Sequence, residues 1–256
     1  MEDERWPGER ASSILDDLPS IGKAVLFAVI ASAALPLGAW LGVTHPPARR
    51  VTAALLAFAS GALITAVAFE LFEHAFSQGG AWRAGGSFLA GATAFIVVDT
   101  WLDRQTQRRL AAGGAVGFAL LAGVILDGLP ENLAMGVGLI ESGSATLLVA
   151  IFVSNLPEAI VGAQKMGEAG LNHRRIMLMW SVTAVVLALA VVAGYGAFGG
   201  LDDTTLAWPL GFAAGAVLAS LADTLMPEAY EEARHDPRIA YFTALGFLLS
   251  FLVSAA

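Results

Sequence analysis

The sequence contains no cysteine. Disulfides, thiolate-bound metals and cysteine nucleophiles are thereby excluded. Charge is scarce as well: Asp, Glu, Lys and Arg make up 14% of 256 residues, against about a quarter in an ordinary soluble domain. A water-soluble fold needs a charged shell that this chain lacks, which sets aside soluble enzymes and disordered chains. The net charge of −8 speaks against nucleic acid as a partner. Signatures of chemistry are missing too. There is no GxxxxGK(S/T) phosphate loop. The Gly-x-Gly-Asp pair of aspartyl membrane proteases is absent. Glu231-Glu232 would need an Arg four residues on to match a glutamic intramembrane protease and meets Asp236 instead. No Ser–His pair lies inside an apolar run. The chain reads as something other than an enzyme.

What is abundant is apolar surface, at 57% of residues and a mean hydropathy of +0.69. A helix crossing roughly 30 Å of hydrocarbon needs about 20 mostly apolar residues. Eight runs qualify, at about 22–43, 51–76, 82–102, 113–140, 144–166, 175–198, 205–230 and 238–256. Open strands leave backbone groups unsatisfied in lipid, and runs such as 182–193 lack the alternation of a barrel strand. The expectation is an all-α polytopic membrane protein of eight transmembrane helices with inverted repeats, its membrane domain spanning 22–256. Residues 1–21 are acidic and polar, without the basic and apolar regions of a signal peptide, and read as a solvated tail.

Positive charge sets orientation. With eight spans, ten of the 14 Lys and Arg fall in the loops on one side: Arg49, Arg50, Arg104, Arg108, Arg109, Lys165, Arg174, Arg175, Arg234 and Arg238. That side is expected to face the cytoplasm, leaving both termini extracytoplasmic in the cell membrane. An internal repeat supports the pattern. At an offset of 154, AFASGALITAVAFELFEHAF aligns with GFAAGAVLASLADTLMPEAY, and Phe58, Ala59, Gly61, Ala62, Ala68, Leu71 and Ala75 meet identical residues. At an offset of 27, LDGLPENLAMG matches VSNLPEAIVGA. Inverted repeats mark secondary transporters, with the substrate at the repeat interface. Glycine-rich faces, Gly85-Gly86 to Gly91 and Gly211 to Gly215, predict close helix contact.

Carboxylates occur within the runs at Glu70, Glu73, Asp99, Asp127, Glu131, Glu158, Asp223 and Glu228, with no Lys or Arg deep inside any of them. Even the four most central, Asp127, Glu131, Glu158 and Asp223, cost on the order of 10 kcal/mol to insert. A cation visiting the bundle interior accounts for them. Asp127 and Glu131 lie one helical turn apart on one face, and so do Ser154 and Glu158, with Asn155 three residues before Glu158. Oxygen ligands converging from two neighbouring antiparallel helices suit a divalent ion. Pro130 and Pro157 each free a helical carbonyl four residues earlier, at Leu126 and Val153.

DGLPENLAMGVG and SNLPEAIVGAQKMGEAG resemble the paired metal-site motifs of the ZIP (Zrt/Irt-like) metal transporters, a likeness that covers the chain from about residue 22. The family pattern is His-Asn-x-Pro-Glu-Gly on its fourth helix and Gln-(Asn/Asp)-x-Pro-Glu-Gly on its fifth. By that resemblance Asp127, Glu131, Ser154, Asn155, Glu158 and Asp223 are the implied metal ligands, with Glu228 an alternative to Asp223 and a contribution near Glu70. The implied activity is movement of divalent metal cations (zinc, manganese, iron or similar) into the cytoplasm, with the metal as transported substrate, no bound cofactor, the lipid bilayer as partner and a homodimer allowed. The sequence departs from the pattern in places. Asp127 replaces the His, Gly128 offers no ligand, and Asn132 and Ala159 stand where the family often has Gly. The remaining donors are almost all oxygen, which suits Mg, Ca and Mn better than zinc. The alternative reading is a non-transporting relative that serves as a metal sensor or structural subunit. The four histidines, His45, His74, His173 and His235, lie in loops or at helix ends. There they read as solvated side chains, with capture of an entering ion by His74 and of a leaving one by His235 as the alternative.

Overall fold

The computed structural model describes residues 20–111, 116–141 and 145–254. Residues 1–19 of the expected tail lie outside them. Among the described residues the chain is entirely helical. The order is α1 (Ser20–Thr44), α2 (Arg49–Thr65), a π-helical segment (Ala66–Phe72), α3 (Glu73–Ala111), α4 (Val116–Glu141), α5 (Ala145–Glu168), α6 (His173–Phe198), α7 (Asp203–Ser220), a second π-helical segment (Leu221–Leu225), α8 (Met226–Glu232) and α9 (Ile239–Ser254). Helix starts follow local chemistry. The Asn172 side chain accepts the Arg175 backbone N–H at 2.9 Å to open α6, and Asp202 accepts that of Thr205 at 3.1 Å to open α7. Gly170, at φ 88°, closes α5, with the Leu171 N–H returning to the Met166 carbonyl.

The expected count of eight spans is corrected to six. Among the described residues, six helical stretches are long and apolar enough to cross a membrane: 21–44, 49–105, 121–140, 145–168, 173–198 and 203–232. Two causes account for the difference. Runs 51–76 and 82–102, expected as separate spans, belong to one stretch of 57 residues, Arg49–Gln105. Its helical geometry is interrupted at Gly80 (φ 69°, ψ 175°), a conformation open to glycine because it has no Cβ. The last run forms a helix of 16 residues, Ile239–Ser254, about 24 Å long at 1.5 Å per residue and so short of the hydrocarbon thickness.

The outer surface is apolar. Val29, Leu89, Val97, Leu178 and Leu189 stand exposed, an arrangement stable in hydrocarbon and not in water. Within the bundle, small residues let backbones meet. A Cβ on Gly38 or Gly42 of α1 would strike the Leu156 or Ile160 carbonyl of α5, and one on Gly194 of α6 would strike the Leu133 carbonyl of α4. The sequence repeat returns as a packing repeat. Gly61 of α2 lies against the Thr243 carbonyl of α9, and Gly215 of α7, 154 residues on, lies against the Phe88 carbonyl of α3. Reciprocally, Gly246 sits on Phe58, and Gly91 sits on Phe212. Both helices of the repeat, α2 and α7, run into π-helical segments. Gly211 also makes a close contact, with Ser87 and Ala84, whereas Gly85 and Gly86 face open space.

Charged residues far apart in sequence gather at one end of the bundle. The Arg49 Nε donates to Glu232 Oε2 at 2.8 Å, and Arg50 lies within electrostatic reach of Asp236. Arg238 grips the Asp236 carboxylate at 2.6 Å and holds its pKa down to about 2.

Candidate functional site

α5 packs along α4. Their side chains meet midway: the Ser154 hydroxyl of α5 donates to Glu131 Oε2 of α4 at 3.3 Å and to the Ile151 carbonyl at 3.0 Å. Both helices carry their proline at this level, Pro130 and Pro157. Glu131 is 4% exposed and Asn155 1%. Among the described residues, neither the amide oxygen nor the amide nitrogen of Asn155 has a hydrogen-bond partner. A buried, unpaired amide costs about 1–3 kcal/mol, so the position carries a polar group that none of the described residues satisfies.

Asp127, one turn before Glu131, is 9% exposed. It accepts hydrogen bonds from Ser220 at 3.1 Å and Thr224 at 3.2 Å. These hydroxyls come from the end of α7 and the π-helical segment after it. Glu158 is half-buried and within electrostatic reach of Glu131, Asp127 and Glu228. Asp223 sits elsewhere: exposed on the π-helical segment, its carboxyl is within hydrogen-bond reach of Asp99 on α3. Thr224, its neighbour, is the residue that turns to Asp127. The Ser220 and Thr224 pair escaped the sequence reading, which on this stretch of the chain weighed only the acids Asp223 and Glu228. Their i, i+4 spacing opposite an acidic helix face was the available signal.

The structure thus brings Asp127, Glu131, Ser154 and Glu158 into one neighbourhood, with Asn155 buried beside Ser154 on α5, and sets Asp223 against Asp99. Among the described residues, no three His, Asp or Glu side chains converge closely enough to hold one metal ion. Position 128, where the resembled motif has a ligand, is closed. A Cβ there would come within 2.5 Å of Leu187 Cδ1 of α6. Asn132 is turned back on its own helix, its amide donating to the Gly128 carbonyl at 2.8 Å. Behind Pro130, an apolar cavity of about 610 Å3 opens between α3, α4 and α7, and neither Asp127 nor Glu131 lines it.

Toward the two ends of the bundle, other polar groups pair off. The Lys165 ammonium of α5 meets Glu228 of α8 at 2.6 Å. Glu70 accepts the Ser254 hydroxyl at 2.8 Å, and with Glu73 and His74 it lines a separate pocket of about 310 Å3. The His74 ring lies 3.1 Å from the Phe69 carbonyl, so the alternative capture role would start from a ring already engaged.

The fold and this geometry define a multi-pass, all-helical membrane protein with carboxylates buried near the meeting of its fourth and fifth helices. No family model matches the chain, and no curated protein matches it in sequence.

Proposed function

We propose that this protein is a ZIP-like secondary transporter that carries divalent metal cations across the cell membrane into the cytoplasm. The observation that carries the reading is the Ser154–Glu131 contact at 3.3 Å, which joins two proline-bearing membrane helices next to the unpaired amide of Asn155. Carboxylate, hydroxyl and amide oxygens can replace the hydration shell of a hard divalent ion. Asp127, Glu131, Ser154, Asn155 and Glu158 would contribute, and Asp223 would join them by a change in the π-helical segment that frees it from Asp99. The oxygen-rich set favours manganese-like ions over zinc. The end that gathers Arg49, Arg50, Arg234 and Arg238 would face the cytoplasm, following the excess of positive charge on that side of membrane proteins. Flux would run on the ion's own gradient or on coupled protons, with one helix group moving against another.

Uptake into proteoliposomes from a panel of Zn, Mn, Fe, Co, Cd and Mg tests the proposal. The wild type should accumulate at least one of these ions, and Glu131→Ala or Glu158→Ala should abolish that uptake. Undiminished uptake in both variants would refute the site.

One observation favours a second reading. Leu187 occupies the space where a ligand side chain at position 128 would lie, which suits a protein that binds metal without moving it. Metal-dependent thermal stabilisation without flux would select this sensor reading over transport.

A further inference from the structure

The chain has two lysines, Lys23 and Lys165. Lys165 lies seven residues beyond Glu158 on α5, two turns and about 10 Å along the same helix face. From there its ammonium crosses to α8 and contacts Glu228 Oε1 at 2.6 Å, the lysine side chain 42% exposed and the glutamate 21%. Glu228 is in turn within electrostatic reach of Glu158 and of Asp127. The acids therefore form a track from Asp127 and Glu131 through Glu158 to Glu228, and a cation built into the protein, partly exposed, sits at the Glu228 end.

We infer that Lys165 is a tethered competitor for the transported cation, its ammonium closing the Glu228 end of the track until a divalent ion displaces it. The inference rests on the transport reading above and adds a residue that sets apparent affinity and exit. The chemistry fits a displaceable plug. An ammonium on a flexible four-carbon stem is a point charge with rotatable donors, where a guanidinium would lock to the carboxylate through a rigid fork. Tethering holds it near Glu228 at an effective concentration of order millimolar. A free divalent ion wins by its doubled charge, since attraction to a carboxylate scales with the product of charges. While the ammonium stays in place, Glu228 is neutralised and offers little to an ion leaving Glu158.

Two measurements on the full-length protein in proteoliposomes test this. In the first, Lys165→Gln should lower the KM for Mn2+ uptake about fivefold, the scale of a partly exposed ion pair, and change the maximal rate by less than twofold. Lys165→Arg should keep the wild-type KM or raise it. In the second, wild-type protein is acetylated briefly with acetic anhydride and analysed by mass spectrometry. Added Mn2+ should raise labelling at Lys165 and leave Lys23 unchanged, a readout that depends on no variant folding. If the wild type takes up Mn2+ while Lys165 labelling ignores the ion and Lys165→Gln matches the wild-type KM, the inference is overturned and the transport reading stands. If the wild type takes up no ion in the panel, both fall together.

Discussion

Leu187 on α6 presses against Gly128 on α4 so closely that its Cδ1 would stand 2.5 Å from any Cβ placed there. The site therefore differs from the motif it resembles by more than one missing side chain, because the space for that side chain has been taken over by a neighbouring helix. Restoring the ligand alone should do harm. Gly128→Asn is expected to destabilise the protein by about 1–3 kcal/mol, the usual cost of overpacking a filled core. Adding Leu187→Ala should recover part of that loss. Thermal unfolding in detergent for the single and double variants checks this, and a Gly128→Asn protein as stable as wild type would show that α6 yields freely.

Asn155 gives a prediction with opposite signs for stability and binding. Its amide is buried without a partner among the described residues, so in the metal-free protein it is a liability of about 1–3 kcal/mol. Asn155→Leu, similar in size and a better helix former, should raise the melting temperature of the metal-free protein. The same change should erase any rise in melting temperature on adding Mn2+. A lower melting temperature in the metal-free variant would mean that the amide is satisfied by water or by a neighbour and is not held ready for an ion.

The packing repeat predicts matched costs at sites 154 residues apart. Gly61→Ala would drive a methyl group into the Thr243 backbone of α9, and Gly215→Ala into the Phe88 backbone of α3. Backbone cannot step aside as a side-chain tip can, so each should cost about 1–3 kcal/mol, and the two costs should be similar. Gly86→Ala, facing open space, should be neutral or should stabilise by roughly 0.5–1 kcal/mol through its better helix propensity. Urea or thermal unfolding of the three variants decides the point. A harmless Gly61→Ala beside a damaging Gly215→Ala would break the equivalence of the two seams.

The division between sequence and tertiary structure follows from what each kind of information contains. An all-helical membrane protein was legible in the composition. With so few charges, the apolar runs had to lie in hydrocarbon, and there a helix satisfies its own backbone. The i, i+4 spacing of Asp127 and Glu131, and the equivalent spacing of Ser154 and Glu158, told which side chains share a face. The repeat and its glycines were also visible in the letters, although hydropathy alone overcounted the spans. It could not register that residues 49–105 run on as one stretch through a break at Gly80, or that the helix Ile239–Ser254 has 16 residues.

Periodicity along one helix says nothing about which neighbour that face will meet. Only the packed bundle decided that Ser220 and Thr224 reach Asp127, that Asp223 turns to Asp99, that Leu187 covers Gly128 and that Lys165 crosses to Glu228. The π-helical segment at Leu221–Leu225 contributes directly. Its wider turn shifts the register of the side chains beyond it, so a helical wheel drawn on α7 does not extend to α8.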